Sequence, residues 1–520
     1  MNKLHLSHAK FSILFAALLY VVCNAINIGA LAKWFQDKDG LNYWALGAYL
    51  VAGLCLLIVF VMLLAHRWTI KPVAIVLAIL SAAVTYFISK YNVAIDSSMV
   101  LNAMHTDPTE IGQLLSLQMV PYVLFLIAVP ALAVAYVRID FAPSGKYLIT
   151  SLQVIAGALL VALSCLYLQY NAILLAGNIS KKYTVYSLVP INIIAGSFSA
   201  IGKQLKPHFA KRSVPITGQI AATDNLVVVL AIGESSRRQN FSVYGYNRRK
   251  TTPVLESTSG LHLLNGLASR GSTIYALPRI LEKNGIKLTA LTSKLGVPTS
   301  CLVNYTLYDN CSAVGEIAAT ECGHGGKCYD EDVVPLLEQD LRKYARGYKF
   351  VVLHLGGGSH GPIYTDRYPT EFQQFQPMCT DADVANQCTV EQLFNSYDNT
   401  ILYVDHVVGR VIGTLDRSGV PYVFIYLSDH GESLMEGGRM FHGMPPGIPL
   451  PPEQAQIPLI VKSSVPISIA PRAEYPQEAV FDTIVDLFSI RTPLLGSEGA
   501  FIRKQISSET TEISATRPHE

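Results

Sequence analysis

Residues 225–236 read Asn-Leu-Val-Val-Val-Leu-Ala-Ile-Gly-Glu-Ser-Ser. A short, uninterrupted apolar run rich in valine suits a strand covered on both faces. The run stops at Gly233, which lets the backbone turn tightly, and then presents a carboxylate, Glu234. Two further runs have the same form, Lys349–Leu355 (KFVVLHL) and Pro421–Leu427 (PYVFIYL). Lys287–Leu291 and Pro458–Val461 are weaker strand candidates. Helical spacing lies between them, as in Glu391–Leu415. This alternation predicts an α/β domain with a mostly parallel sheet.

In such sheets, sites form beyond the carboxyl ends of strands. Here those ends carry Gly233-Glu234-Ser235, Gly356-Gly357-Gly358-Ser359-His360-Gly361 and Ser428-Asp429-His430-Gly431-Glu432. Carboxylate plus imidazole is the ligand set zinc accepts when thiolates are absent. Glu234, Asp429 and His430 can supply three ligands and leave one position for a nucleophile or substrate. Taken singly, Glu234 would equally serve a helix N-terminus, and the Asp-His pair a capping turn. Convergence of three loaded strand ends favours the metal site. His354, inside a strand, reads as a packed core histidine.

The chain N-terminal to this domain has another character. Half of the 520 residues are apolar, and residues 11–175 hold nearly all the long uncharged runs. A bilayer-spanning helix needs about 20 apolar residues. Five segments qualify: 11–32, 43–65, 72–90, 118–137 and 147–170. The first lacks a small-residue cleavage site and is read as an anchor. Lys3 and Lys10, Arg67 and Lys71, and Arg138 and Lys146 fall on one side if the N-terminus is cytoplasmic. With five spans, everything after about residue 170 then lies outside, in the periplasm of a double-membrane bacterium. The outer loop 91–117 carries Asn102, Thr106 and Glu110 at a spacing that shares one helix face, although Pro108 interrupts it. On spacing alone it reads as a solvated amphipathic connector. Residues 171–224 form a linker, with lysines flanking the apolar stretch Tyr186–Ile201. That stretch suits a helix lying in the membrane surface, or a plain spacer.

Cysteine usage agrees with an outward-facing domain. Of nine cysteines, Cys23, Cys55 and Cys165 lie in apolar runs. The other six, Cys301, Cys311, Cys322, Cys328, Cys379 and Cys388, fall in close sequential pairs. This predicts three short-loop disulfides and an oxidising compartment. Free or zinc-binding thiols are the alternative, but no C-x-x-C pair is present. Net charge is only +2, and no basic stretch is interleaved with aromatics, so nucleic-acid binding is unsupported.

Several motifs, in order, carry a family resemblance. Ala231-Ile232-Gly233-Glu234-Ser235-Ser236-Arg237-Arg238 is followed by Tyr244-Gly245-Tyr246 and Thr251-Thr252-Pro253. Asn395-Ser396-Tyr397-Asp398-Asn399, Ser428–Ser433 and Phe441-His442-Gly443 come later. Together with five spans ahead of the domain, the chain resembles the phosphoethanolamine transferases, which include lipid A enzymes of polymyxin resistance. The resemblance implies an alkaline-phosphatase-like fold and phosphatidylethanolamine as donor. It implies a zinc held by Glu234, Asp429 and His430, with Thr273, in Gly271–Pro278, as nucleophile and ligand. It places His360 and His442 at the substrate phosphate or a second metal. Asn102, Thr106 and Glu110 match donor-lipid contacts, which overturns the connector reading, and Lys294 is aligned with a donor-binding lysine. The acceptor would be lipid A or another envelope glycan, and the chain is expected to act as a monomer in the inner membrane.

One departure stands out. Many relatives have apparently paired cysteines flanking the nucleophile, where this chain has Ser269 and Arg279. This reads as loss of one disulfide. Two other readings compete. Phosphoglycerol transfer or ester hydrolysis would use a similar metal site, although the C/S-x-P-x-R motif of sulfatases is absent around Thr273. A non-catalytic envelope-binding protein would have no need of Glu234, Thr273, Asp429 and His430 together. The expected organisation is a membrane domain (1–170), a linker (171–224), a catalytic domain (225–502) and a polar, disordered tail (503–520).

Overall fold

A computed structural model of the chain describes residues 4–505 apart from 38–39, 92–94, 106–118, 174–187, 211–215, 222–223, 321, 323–326, 357, 360, 362, 382–383, 445–448 and 493–498. The chain divides into two compact units. One comprises residues 1–211, 381–389 and 434–449; the other comprises residues 212–380, 390–433 and 450–520.

The first unit is helical. Among the described residues, five helices are long and apolar enough to cross a membrane. They are α1 (His8–Trp34), α2 (Tyr43–Leu63), α3 (Ile70–Tyr91), α5 (Met119–Tyr136) and α6 (Ser144–Leu168). The shorter α4 (Ser97–His105) follows α3, and α7 (Ile191–Ala210) packs on α4. All five expected spans are present, with ends shifted by up to three residues. Helix α6 sets Ala158, Ala162 and Cys165 against Ala52 and Cys55 of α2, while Leu148, Leu152, Leu160 and Leu163 face outward. Small residues let helix backbones approach where lipid offers no hydrophobic drive for association. In α1, Asn24 is buried, but its side chain is satisfied by the backbone of Val189, donating at 2.6 Å and accepting at 3.1 Å. A polar group inside such a bundle requires this pairing.

The second unit is built on an eight-stranded sheet. In chain order the strands are β1 (Leu226–Gly233), β2 (Leu261–Leu267), β3 (Thr299–Val303), β4 (Glu316–Ala318), β5 (Tyr348–Leu355), β6 (Tyr422–Ser428), β7 (Gln456–Ser463) and β8 (Tyr475–Pro476). Their spatial order is β4-β3-β5-β1-β6-β7-β2-β8. Only β7 runs against the others, pairing antiparallel with β6 and β2. The sheet is thus mostly parallel, as the alternating pattern implies. Every residue of β1, β5 and β6 is buried, which is why these strands read as continuous apolar runs.

Four strands, β2, β3, β4 and β8, escape the sequence pattern. Lys287–Leu291 is not a strand. Leu288–Lys294 is a helix that buries Leu288 and Leu291, while β3 supplies the neighbouring strand. Leu288, Leu291 and Thr292 recur at helical spacing, and over so short a run that cannot be told from a buried strand. Strand β2 (LHLLNGL) is only partly buried and lacks the β-branched enrichment that marked the others. Residues Ile502–Lys504 pair with Ile467–Ile469, so the first residues of the expected tail are ordered; residues 506–520 lie outside the described residues.

Helices α8 (Pro253–Ser257), α9 (Thr273–Leu281), α11 (Val333–Arg342), α12 (Val390–Ser418) and α13 (Ala479–Leu487), with Leu288–Lys294 as α10, accompany the sheet. Disulfides join Cys301 to Cys311 and Cys322 to Cys328, and Cys379 and Cys388 are also disulfide-bonded. Cys23, Cys55 and Cys165 are free. Both outcomes follow the division made by sequence context.

Candidate metal and nucleophile site

Parallel register brings the ends of β1 and β6 side by side, with Ser428 opposite Gly233. Glu234 therefore emerges beside Asp429 and His430, although nearly two hundred residues separate them. The turn after β1 is held from several directions. Ser235 adopts a left-handed backbone (φ 55°), and its N–H donates to Asp429 Oδ1 at 3.1 Å. The Ser236 N–H donates to Ser428 Oγ at 2.8 Å, and that hydroxyl donates to the His430 carbonyl at 2.8 Å. Motif 395–399 lies on α12, where Tyr397 donates its hydroxyl to the Ser235 carbonyl at 2.8 Å. Asp398 accepts from Asn240 at 2.6 Å and from Tyr246 at 2.8 Å. Much of the recognisable motif content thus serves to fix one turn.

Thr273 is the first residue of α9, a helix that starts after Ser272 and buries Ala276, Leu277, Ile280 and Leu281. Its hydroxyl donates to Glu234 Oε2 at 2.9 Å and lies 3.4 Å from His430 Nε2. As the first helical residue it also sits at the positive end of the helix dipole.

The polarity of this cluster tests whether a cation fits. His430 Nδ1 faces the Gly431 carbonyl at 3.0 Å, so that nitrogen carries a proton. In the neutral imidazole, Nε2 is then a lone pair. It lies 3.5 Å from Glu234 Oε1 and 3.2 Å from Asp429 Oδ2. Asp429 is fully buried, and its Oδ2 has no hydrogen-bond donor. Two carboxylates and an imidazole converge in a buried place, which is a donor set a divalent cation can bridge. The donor set suits zinc, and the His430–Gly431 bond fixes the tautomer as metal-binding histidines require. Burial, then the charge of Glu234, raises the Asp429 pKa. Burial lowers that of His430, but the charges of Asp429 and Glu234 more than reverse this.

The remaining expected residues sit on other elements of the chain. His442 follows the short strand Met440–Phe441 in the helical unit and is half-buried. Asn102 lies in α4. Thr106, Glu110 and His360 lie outside the described residues. Lys294 ends α10 and is exposed. His354 is fully buried in β5, with Nδ1 2.6 Å from the Tyr305 carbonyl. Sequence reasoning missed Ser235, Ser428 and Tyr308. Tyr308 has φ 53° in the loop closed by Cys301–Cys311. Burial, Tyr305, Glu234 and Asp429 together push its pKa up. The flanking cysteines were the one local hint that this loop is held in place.

The sheet, with its loaded strand ends, defines a domain of the sulfatase and alkaline-phosphatase type, here joined to apolar helices. Comparison with known proteins agrees. The family described as phosphoethanolamine transferase EptA/EptB matches residues 53–205, and the sulfatase family matches residues 276–490. Phosphoethanolamine transferase EptA of Helicobacter pylori is 30% identical over 454 residues, covering 81% of this chain and 82% of the relative. Phosphatidylethanolamine transferase Mcr-1 of Escherichia coli is 27% identical, covering 94% and 96%. The solved integral membrane lipooligosaccharide phosphoethanolamine transferase A of Neisseria meningitidis superposes with a TM-score of 0.78 at 26% identity, covering 94% and 96%. The chain belongs to the phosphoethanolamine transferase family.

Proposed function

We propose that this protein moves phosphoethanolamine from phosphatidylethanolamine to lipid A, or another sugar or phosphate of lipopolysaccharide, at the outer face of the bacterial inner membrane. The observation that carries the reading is the placement of Thr273 Oγ1 against both Glu234 Oε2 (2.9 Å) and His430 Nε2 (3.4 Å). Glu234, Asp429 and His430 would hold zinc. Bound there, zinc supplies Lewis acidity that favours loss of a proton from a nearby hydroxyl. The Thr273 oxygen attacks the donor phosphorus, a new O–P bond forms, and the bond from phosphorus to diacylglycerol oxygen breaks. The proton lost by Thr273, for which Glu234 Oε2 is the nearby acceptor, is made up on the departing diacylglycerol oxygen. Phosphoethanolamine then stays on Thr273 as a covalent intermediate. An acceptor hydroxyl or phosphate attacks the same phosphorus, the threonine O–P bond breaks, and Thr273 regains a proton. His360 and His442 would bind the phosphoryl oxygens, and Asn102, Thr106 and Glu110 the donor head group.

The topology suits a lipid donor, since five apolar helices keep the chain at the bilayer. Added ethanolamine groups would reduce surface negative charge and so weaken attraction of cationic peptides. The test is peptide mass spectrometry of the zinc-loaded protein in detergent after incubation with phosphatidylethanolamine and no acceptor. A phosphoethanolamine adduct on Thr273, absent in Thr273→Ala, is expected. No adduct and no released diacylglycerol from zinc-bound protein would overturn the double displacement. An adduct from phosphatidylglycerol instead would reassign the head group.

A further inference from the structure

We infer that Ser235 is a positioning residue for the metal site, holding both of its carboxylates at once. Its hydroxyl donates to Glu234 Oε1 at 2.7 Å, while its own N–H donates to Asp429 Oδ1 at 3.1 Å. Ser235 and Asp429 are fully buried and Glu234 is nearly so, so water does not substitute for these bonds. With Thr273 on the other oxygen of Glu234, each oxygen of that carboxylate has a hydroxyl facing it.

The backbone of Ser235 shows why this residue can do both. At φ 55° a serine sits in a region that side chains disfavour, at a cost of order 1 kcal/mol. In that conformation the side chain folds back toward the preceding residue and the N–H points across to β6. The conformation is enforced from outside: the Tyr397 hydroxyl donates to the Ser235 carbonyl at 2.8 Å and accepts from the Arg237 N–H at 2.9 Å. Helix α12 thereby clamps the turn, the turn sets Ser235, and Ser235 sets the two carboxylates. Glycine would meet the backbone requirement at lower cost, so the hydroxyl is the feature that needs explaining. Its partner, Glu234 Oε1, supplies the explanation.

This inference rests on Glu234 and Asp429 being metal ligands, and the experiment separates the two claims. Zinc affinity of the full chain in detergent is measured by competition with a chelating indicator, for wild type, Ser235→Ala, Ser235→Gly and Asp429→Asn. Outer partners of metal ligands are worth roughly 10- to 100-fold in affinity. Both Ser235 variants are expected to lose zinc affinity in that range, while their melting temperature in chelator stays near wild type. Glycine tolerates the left-handed backbone, so its loss would report the hydroxyl alone. Wild-type affinity in Ser235→Gly with a loss only in Ser235→Ala would mean that backbone strain carries the effect, and would overturn the inference. Wild-type affinity in both would overturn it as well. Wild-type affinity in Asp429→Asn would sink the ligand assignment instead.

Discussion

Replacing Asp429 by asparagine should change thermal stability in opposite directions with and without zinc. Asp429 Oδ2 and Glu234 Oε1 lie 3.2 and 3.5 Å from the same His430 nitrogen, so they are no more than about 6.7 Å apart. At an effective dielectric constant of about 20, two carboxylates at that distance repel by at least about 2.5 kcal/mol. The asparagine side chain would keep the acceptor that the Ser235 and His430 N–H groups use. It would also put an NH2 donor where Oδ2 now has none, facing the Nε2 lone pair. In chelator at pH 8 the variant should therefore be more stable by about 2 kcal/mol, or roughly 5 °C in a domain of this size. Zinc at a hundred times its dissociation constant stabilises wild type by about 2.7 kcal/mol and the variant far less, because a neutral amide is a poor ligand. The order of melting temperatures should reverse on adding zinc. Melting of full-length protein in detergent, followed by intrinsic fluorescence, reads this out. A variant that melts below wild type in chelator would show Asp429 to be a structural bond of the strand end. A wild type indifferent to zinc would refute the metal site.

Three further outcomes follow from the same structure. Asp405 is fully buried in α12 and accepts the N–H groups of Val254 and Leu255 at 2.8 and 2.9 Å, yet burial raises its pKa to about 7. A carboxyl whose folded pKa is raised binds its proton more tightly when folded, so stability falls as pH rises from about 4 to about 7, by up to about 4 kcal/mol; Asp405→Asn should flatten that slope in melts across this range. Removing the Cys301–Cys311 bridge as a double serine variant frees a loop with a sequence separation of 10 and should cost roughly 2–3 kcal/mol in denaturant or thermal unfolding. At Gly431 an added Cβ would lie 2.2 Å from the Glu453 carbonyl oxygen, a backbone atom that cannot step aside; Gly431→Ala should displace His430, destabilise by about 1–3 kcal/mol and lower zinc affinity.

Much of this molecule was legible before any coordinates. The five apolar helices, the three fully buried strands β1, β5 and β6, and the oxidised state of six cysteines follow from composition and local period. Each of those properties is set by what surrounds a segment, whether lipid, a double-covered sheet or an oxidising compartment, and each marks the segment itself. The strand ends that carry Glu234 and Asp429-His430 were legible too, because each follows a strand whose apolar run announces it. Where local signal was short, reading failed: Leu288–Lys294 gave the same apolar run as a helix that it would have given as a strand, and the partly buried β2 gave almost none.

The remaining facts depend on distance through space. Thr273 lies 39 residues from Glu234 and 157 from His430 in sequence, and a lone threonine has no local mark of reactivity. Only family resemblance pointed to it from the sequence, and only packing of α9 shows its hydroxyl against both Glu234 and His430. The same holds for Ser235, whose role needs a left-handed backbone, a bond to Glu234 and another to Asp429, 194 residues away. Sequence settles which segments are buried, because burial needs only apolar side chains in the right period. Tertiary structure settles which polar atoms meet, because hydrogen bonds and metal coordination act over about 3 Å and are met or missed by the register of strands far apart in the chain.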